Sequence, residues 1–134
     1  MKHATICIAL VVALVVALIV PLVVPLHRSA AAAAPKSITC SYAHGQELSF
    51  DVPKKLGGLP PVEFDYPSRV TLFSFRDDNL LLVAMDEAEK SRVRIVISAQ
   101  RDKAKASYDG QILVDMGGNQ IQLDNGPVSC KAGG

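Results

Sequence analysis

Beyond residue 33 the chain keeps two cysteines, Cys40 and Cys130, and a single histidine, His44. Any Ser-His-Asp or Cys-His arrangement would have to run through His44. That residue stands beside Gly45 between two strand-like runs, the setting of an exposed turn histidine. Cys40 and His44 are spaced as metal ligands can be, but two ligands do not make a zinc site. Asp77-Asp78-Asn79 and Asp124-Asn125-Gly126 offer oxygens without the ligand series of a calcium loop, and their composition is that of turns. Neither Gly57-Gly58 nor Gly117-Gly118 belongs to a phosphate-cradling motif. The acidic residues could supply paired carboxylates for glycoside hydrolysis, yet so short a chain has little room for a substrate cleft. The sequence therefore points to a non-enzymatic protein with no cofactor and no metal. A small hydrolase centred on His44 is the enzymatic alternative.

The remaining chemistry is charge. Lys90, Arg92, Arg94, Arg101, Lys103 and Lys105 fall within one strand and its following loop, opposed there by Asp102 alone. Grouped in this way they would set a positive field on one side of the domain. The plainer account is a solvated outer strand face. A lysine or arginine on a protruding loop is a sensible plug for the two-carboxylate cleft of a glycosidase that cuts peptidoglycan, and an anionic envelope component is the other partner it suits. Arg101, Lys103, Lys105, Ser107 and Tyr108 are the candidate contact residues. The proline-stiffened tract Phe64-Asp65-Tyr66-Pro67 competes with them, because Phe64 and Tyr66 could meet a partner at low entropic cost. Alternatively, those rings fold back to cap the core.

Three features position these residues. An uncharged segment from residue 4 to 26 follows Lys2 and precedes Arg28, and Ser29 with the alanines behind it supplies the small residues of a signal-peptide cleavage site. We place the cut after Ala33, giving a signal peptide over 1–33 and an exported domain over 34–134, periplasmic or secreted. The alternative is an uncleaved inner-membrane anchor that holds a structural or envelope-associated β-domain protein of unknown partner, the one case in which the membrane is a partner. Cleavage removes Cys7, so Cys40 and Cys130 are left as the only pair and an oxidising compartment joins them. It also leaves 12 basic against 13 acidic residues, a net charge of −1 that gives no case for nucleic acid.

The exported part is written in period-two alternation between turn signals. Ile38, Cys40 and Tyr42 alternate in one run, Leu48, Phe50 and Val52 in the next. Residues 70–75 and the apolar run 80–85 flank Arg76-Asp77-Asp78-Asn79 as a hairpin. Val93, Ile95 and Ile97 alternate with Arg92, Arg94 and Ser98, which predicts a strand with a cationic outer face. Ile112, Val114 and Met116 form a further run, Ile121 and Leu123 resume it, and Asp124-Asn125-Gly126-Pro127 predicts a last turn before Cys130. Seven or eight such strands make an all-β domain, a small antiparallel β-barrel with a β-sandwich as the alternative. In the barrel the first and last strands become neighbours, which brings Cys40 to Cys130. The proline-rich stretch between Val52 and Arg69 is a long loop of the kind that carries function.

Ile38-Thr39-Cys40, Leu48-Ser49-Phe50, Asn79-Leu80-Leu81-Leu82, Ala106-Ser107-Tyr108-Asp109-Gly110 and the closing Leu123 to Cys130 resemble, in order and spacing, the membrane-bound and periplasmic inhibitors of C-type lysozyme. The resemblance implies a disulfide-closed antiparallel barrel that blocks a lysozyme-like glycosidase through a loop before Tyr108. Lys103-Ala104-Lys105-Ala106-Ser107-Tyr108 stands where that family carries a Ser-Gly-x-x-Tyr motif. No lysine precedes the final strands at Asp115-Met116-Gly117-Gly118-Asn119, where the family has one.

Overall fold

The computed structural model describes residues 35–134. The expected signal peptide over 1–33 and its cleavage site lie outside the described residues. Seven strands follow one another: β1 (Ser37–Tyr42), β2 (Gln46–Asp51), β3 (Ser68–Arg76), β4 (Asn79–Asp86), β5 (Val93–Asp102), β6 (Ser107–Asp115) and β7 (Leu123–Gly133). All pair antiparallel in one sheet of order β2-β1-β7-β6-β5-β4-β3. The sheet curls into a half-barrel, with β2 and β3 as its free edges.

Alternation dictates the core. Ile38 and Cys40 of β1, Leu48 and Phe50 of β2, and Leu80, Leu82 and Ala84 of β4 point to the concave face and are buried. Ile97, Ala99, Ile112, Val128 and Cys130 join them from the central strands. Successive side chains of a strand alternate between faces, so the apolar set needs no helix to cover it once the sheet bends over on itself. Gly110 of β6 pairs with Ala99, and a Cβ there would collide with the Ser98 carbonyl oxygen. A side chain at this point would force β5 and β6 apart.

The first and last strands do become neighbours: β1 runs beside β7, Cys40 is paired with Cys130, and their sulfurs lie at bonding distance. Ninety residues separate the two cysteines, and closing a loop of that size contributes on the order of 4–5 kcal/mol in the chain-entropy account. The hydrogen-bonded ladder does not close between β2 and β3. There the Phe50 and Phe73 rings meet edge to face, 5.7 Å between centroids, and the proline-rich segment 52–67 crosses the opening. Val62 and Phe64 of that segment pack against the core.

One expected turn is absent. Asp124-Asn125-Gly126-Pro127 lies within β7, with Gly126 opposite Ile112 and Pro127 opposite Gln111. The reason is that β1 reaches β7 only as far as Ser41 opposite Ser129. Upstream of that point β7 is bonded on one side alone, and an edge position tolerates a proline that cannot donate. Ile121, expected to resume a strand, lies before β7 and is exposed. The turn expected at Arg76-Asp77-Asp78-Asn79 is present, a two-residue connection with Asp77 and Asp78 at positive φ.

Candidate functional site

β5 carries the cations to two opposite ends of the sheet. Because β4, β5 and β6 form an up-and-down meander, the end of β4, the start of β5 and the end of β6 share one end. Asp86, Arg92 with Arg94, and Asp115 therefore meet. The expected cationic outer face is not there: Arg92 and Arg94 are only 8% and 9% exposed. The cause is a register shift between β4 and β5, where Ala84 opposes Ile95 and Met85 opposes Val93. Arg94 is the surplus residue, and such a bulge re-aims a side chain against the simple alternation.

The buried charges are fully partnered. Arg92 donates through Nε to Asp115 Oδ2 at 2.5 Å and through its other nitrogens to the carbonyls of Gly117, Gly118 and Gln120. Arg94 donates to Asp86 Oδ2 at 2.8 and 2.6 Å and to the Gly117 carbonyl at 2.9 Å. The second oxygen of Asp115 accepts the Gly117 and Gln122 amides, and that of Asp86 accepts the Ala88 and Glu89 amides. The cluster thus ties the β4–β5 and β6–β7 connections together. Arg92 Nε–H and the Gln122 amide hold the Asp115 carboxyl well below the usual carboxylate range. The Glu89 amide and Arg94 do the same for Asp86. Each partner would be a costly buried charge without the other.

The opposite end of β5 is the hairpin of the expected contact residues. Its cations are also met by acids, but in the open. Arg101 lies 3.3 Å from Asp78, Lys103 3.6 Å from the same carboxylate, and Lys105 3.2 Å from both Asp102 and Asp109. Asp102 is therefore not their sole counter-charge, because Asp78 in the β3–β4 turn reaches across. Lys105 and the Ala104 amide lower the Asp102 carboxyl, and Ser129 with Lys105 lowers that of Asp109. Ser107 is buried and donates to Asp109. Tyr108 packs its ring on Phe75 at 5.0 Å. Of the five candidate residues, Arg101, Lys103 and Lys105 are thus exposed at the tip, whereas Ser107 and Tyr108 are fastened to the sheet.

A cleft of about 300 Å³ opens beside the buried cluster. Tyr42, Glu47, Glu63, Phe64, Asp65 and Tyr66 form its walls, with Arg94 and Asp115 reaching its floor. The second candidate loop is therefore part of this cleft. Phe64 is half-buried against the core, while Tyr66 stays exposed with the Arg94 guanidinium 5.7 Å from its ring centroid. Burial, then the Asp65 carboxylate, pushes the Tyr42 hydroxyl up. Ser41 donates to Glu47. Among the described residues no salt bridge reaches Glu47, Glu63 or Asp65.

His44 sits in the short turn between β1 and β2, exposed and at φ 58°. Among the described residues no group of three His, Cys, Asp or Glu side chains could hold a metal, and no helix is long and apolar enough to cross a membrane. Comparison with protein-family models, with curated proteins and with solved structures returned no match to this chain.

Proposed function

We propose that this is an exported, non-enzymatic binding protein that receives a cationic group of its partner, a lysine or arginine side chain, in the cleft walled by Tyr42, Glu47, Glu63, Phe64, Asp65 and Tyr66. The observation that carries the reading is a contrast in charge. Glu47, Glu63 and Asp65 at this cleft have no salt-bridge partner among the described residues, whereas Arg94 beside it and the cations of the hairpin are neutralised by carboxylates of their own. Aromatic walls add a cation–π attraction and a preformed shape. The Tyr42 hydroxyl oxygen at the cleft wall can accept a hydrogen bond from the cation. Calorimetric titration with a lysine-rich peptide tests it: the protein binds, and the combined Glu47→Gln, Glu63→Gln, Asp65→Asn variant loses at least tenfold in affinity. Equal affinity in both proteins contradicts it.

Inhibition of a lysozyme-like glycosidase is the second reading, favoured by Lys103. Its side chain is 80% exposed at the hairpin tip, and its contact with Asp78 is the longest of the three lysine bridges there. A lytic assay against a C-type lysozyme separates the two modes. Loss of inhibition in Lys103→Ala with Lys105→Ala assigns the contact to the hairpin, loss in the cleft variant assigns it to the cleft, and full lysis at large molar excess removes the inhibitor reading.

A further inference from the structure

The half-barrel leaves β3 bonded on one side only, to β4. The two-residue Asp77-Asp78 connection fixes which groups are free. Arg76 opposite Asn79 and Ser74 opposite Leu81 are the hydrogen-bonded pairs of such a hairpin, so the N–H and C=O of Phe73 and Phe75 point away from β4. Segment 52–67 crosses the open side without taking these groups up. In its own backbone bonds the Gly58 amide donates to the Lys55 carbonyl, the Val52 amide to that of Lys36, and the Pro67 carbonyl accepts from the Glu87 amide. Among the described residues, β3 therefore presents an unoccupied main-chain edge.

That edge is one wall of a groove of about 280 Å³, made by residues 72–76 on one side and by Val52, Pro53, Lys55 and Leu56 on the other. Leu56 is 85% and Leu72 47% exposed, an unusual outlay of apolar surface beside a free edge. The charged residues that line it, Lys55 and Arg76, are of one sign, with the exposed Asp77 3.9 Å from Arg76 beyond its rim. β3 carries Arg69 and Arg76 and no acid, and Lys55 faces it across the groove.

We propose that the β3 edge is a strand-addition site that takes an extended, acidic segment of a partner protein with apolar side chains at alternate positions. The backbone groups of Phe73 and Phe75 require an extended chain as occupant. Alternate apolar side chains then pack toward the Phe73 and Phe75 face, and the intervening carboxylates meet Arg69, Arg76 and Lys55. A second copy of this chain is the wrong occupant. Antiparallel pairing of two β3 edges would bring the Lys55, Arg69 and Arg76 cations of a second copy to the same edge, and like charges set close together across a strand pair are destabilising. This surface shares no lining residue with the cleft, so it stands or falls separately from the binding reading above.

The probe is a capped heptapeptide of alternating glutamate and valine, added to ¹⁵N-labelled protein recovered from expression of the full chain. The expected result is slowing of amide exchange at Phe73 and Phe75 by at least tenfold at saturation. A lysine-valine counterpart should give no protection, and Arg69→Glu with Arg76→Glu should reverse the preference. Unchanged exchange at both amides in millimolar peptide overturns the proposal. Protection of the same amides without peptide, accompanied by a dimer in sedimentation, overturns it in favour of a second copy.

Discussion

The two ends of β5 hold the same kinds of residue and use them differently. At one end Arg92 and Arg94 are buried, each held by a carboxylate and by backbone carbonyl groups of the β6–β7 loop. At the other, Arg101, Lys103 and Lys105 face acids across solvent, at 3.2 to 3.6 Å and largely exposed. Desolvation is what separates them. A buried pair stripped of one member leaves a charge with no water to turn to, whereas an exposed pair exchanges one weak contact for hydration. Composition alone cannot tell a strut from a solvated tip, and in this chain only six residues lie between Arg94 and Arg101.

The sharpest way to break the comparison is Asp115→Asn. An amide must turn either its oxygen or its NH₂ toward a set of donors, since one carboxylate oxygen faces Arg92 and the other faces the Gly117 and Gln122 amides. We expect the melting temperature to fall by roughly 10 °C or more, the scale of a broken buried pair in a domain of this size. Differential scanning calorimetry checks it, and a shift of a degree or two would place the cluster with the surface bridges.

Acid titration comes next. Asp86 and Asp115 have folded-state values below the ordinary carboxylate range, so between those values and about pH 4 the unfolded chain binds more protons than the folded one. Their stabilisation is present above about pH 4 and is lost as pH falls through the folded values. Thermal melts at stepped pH should show this decline in the wild type and a shallower one in Asp115→Asn. A residual slope belongs to Asp86, Asp102 and Asp109, which shift in the same direction.

How far the sequence discloses all this depends on the residue. Strands β1 to β4 are legible because apolar alternation and the Asp77-Asp78 turn agree with each other, and the Cys40–Cys130 contact because these cysteines stand in the first and last strand-like runs. The inward turn of Arg94 is not legible, because a bulge shifts the side-chain period by one and leaves no mark on composition. Its signal is indirect: Asp86 and Asp115 close the strands on either side of β5, at the end where a meander sets them against Arg92 and Arg94. Pro127 misleads in the opposite way, its turn chemistry being overridden by an edge position that β1 is too short to reach. The cleft is the least visible feature, since Tyr42, Glu47 and the 63–66 tract converge only when segment 52–67 folds across the open side.

A smaller effect sharpens the exposed half of the comparison. Asp78→Asn removes the counter-charge of both Arg101 and Lys103 and keeps a residue that tolerates the positive φ of this turn. Stability should stay within about 0.5 kcal/mol of wild type, as for other solvent-exposed pairs, while retention on an anionic resin at low salt should rise. Destabilisation on the scale of Asp115→Asn would show that the hairpin, too, is a strut.

The binding role assigned to the cleft is tested most directly by recording ¹H–¹⁵N correlation spectra of the full-chain product during titration with a capped lysine peptide. The account predicts saturable shifts centred on Tyr42, Glu47 and residues 63–66, abolished in the Glu47→Gln, Glu63→Gln, Asp65→Asn variant, with the amides of residues 101–108 unmoved. Shifts absent from the cleft at millimolar peptide, or equally large in the variant, would contradict it.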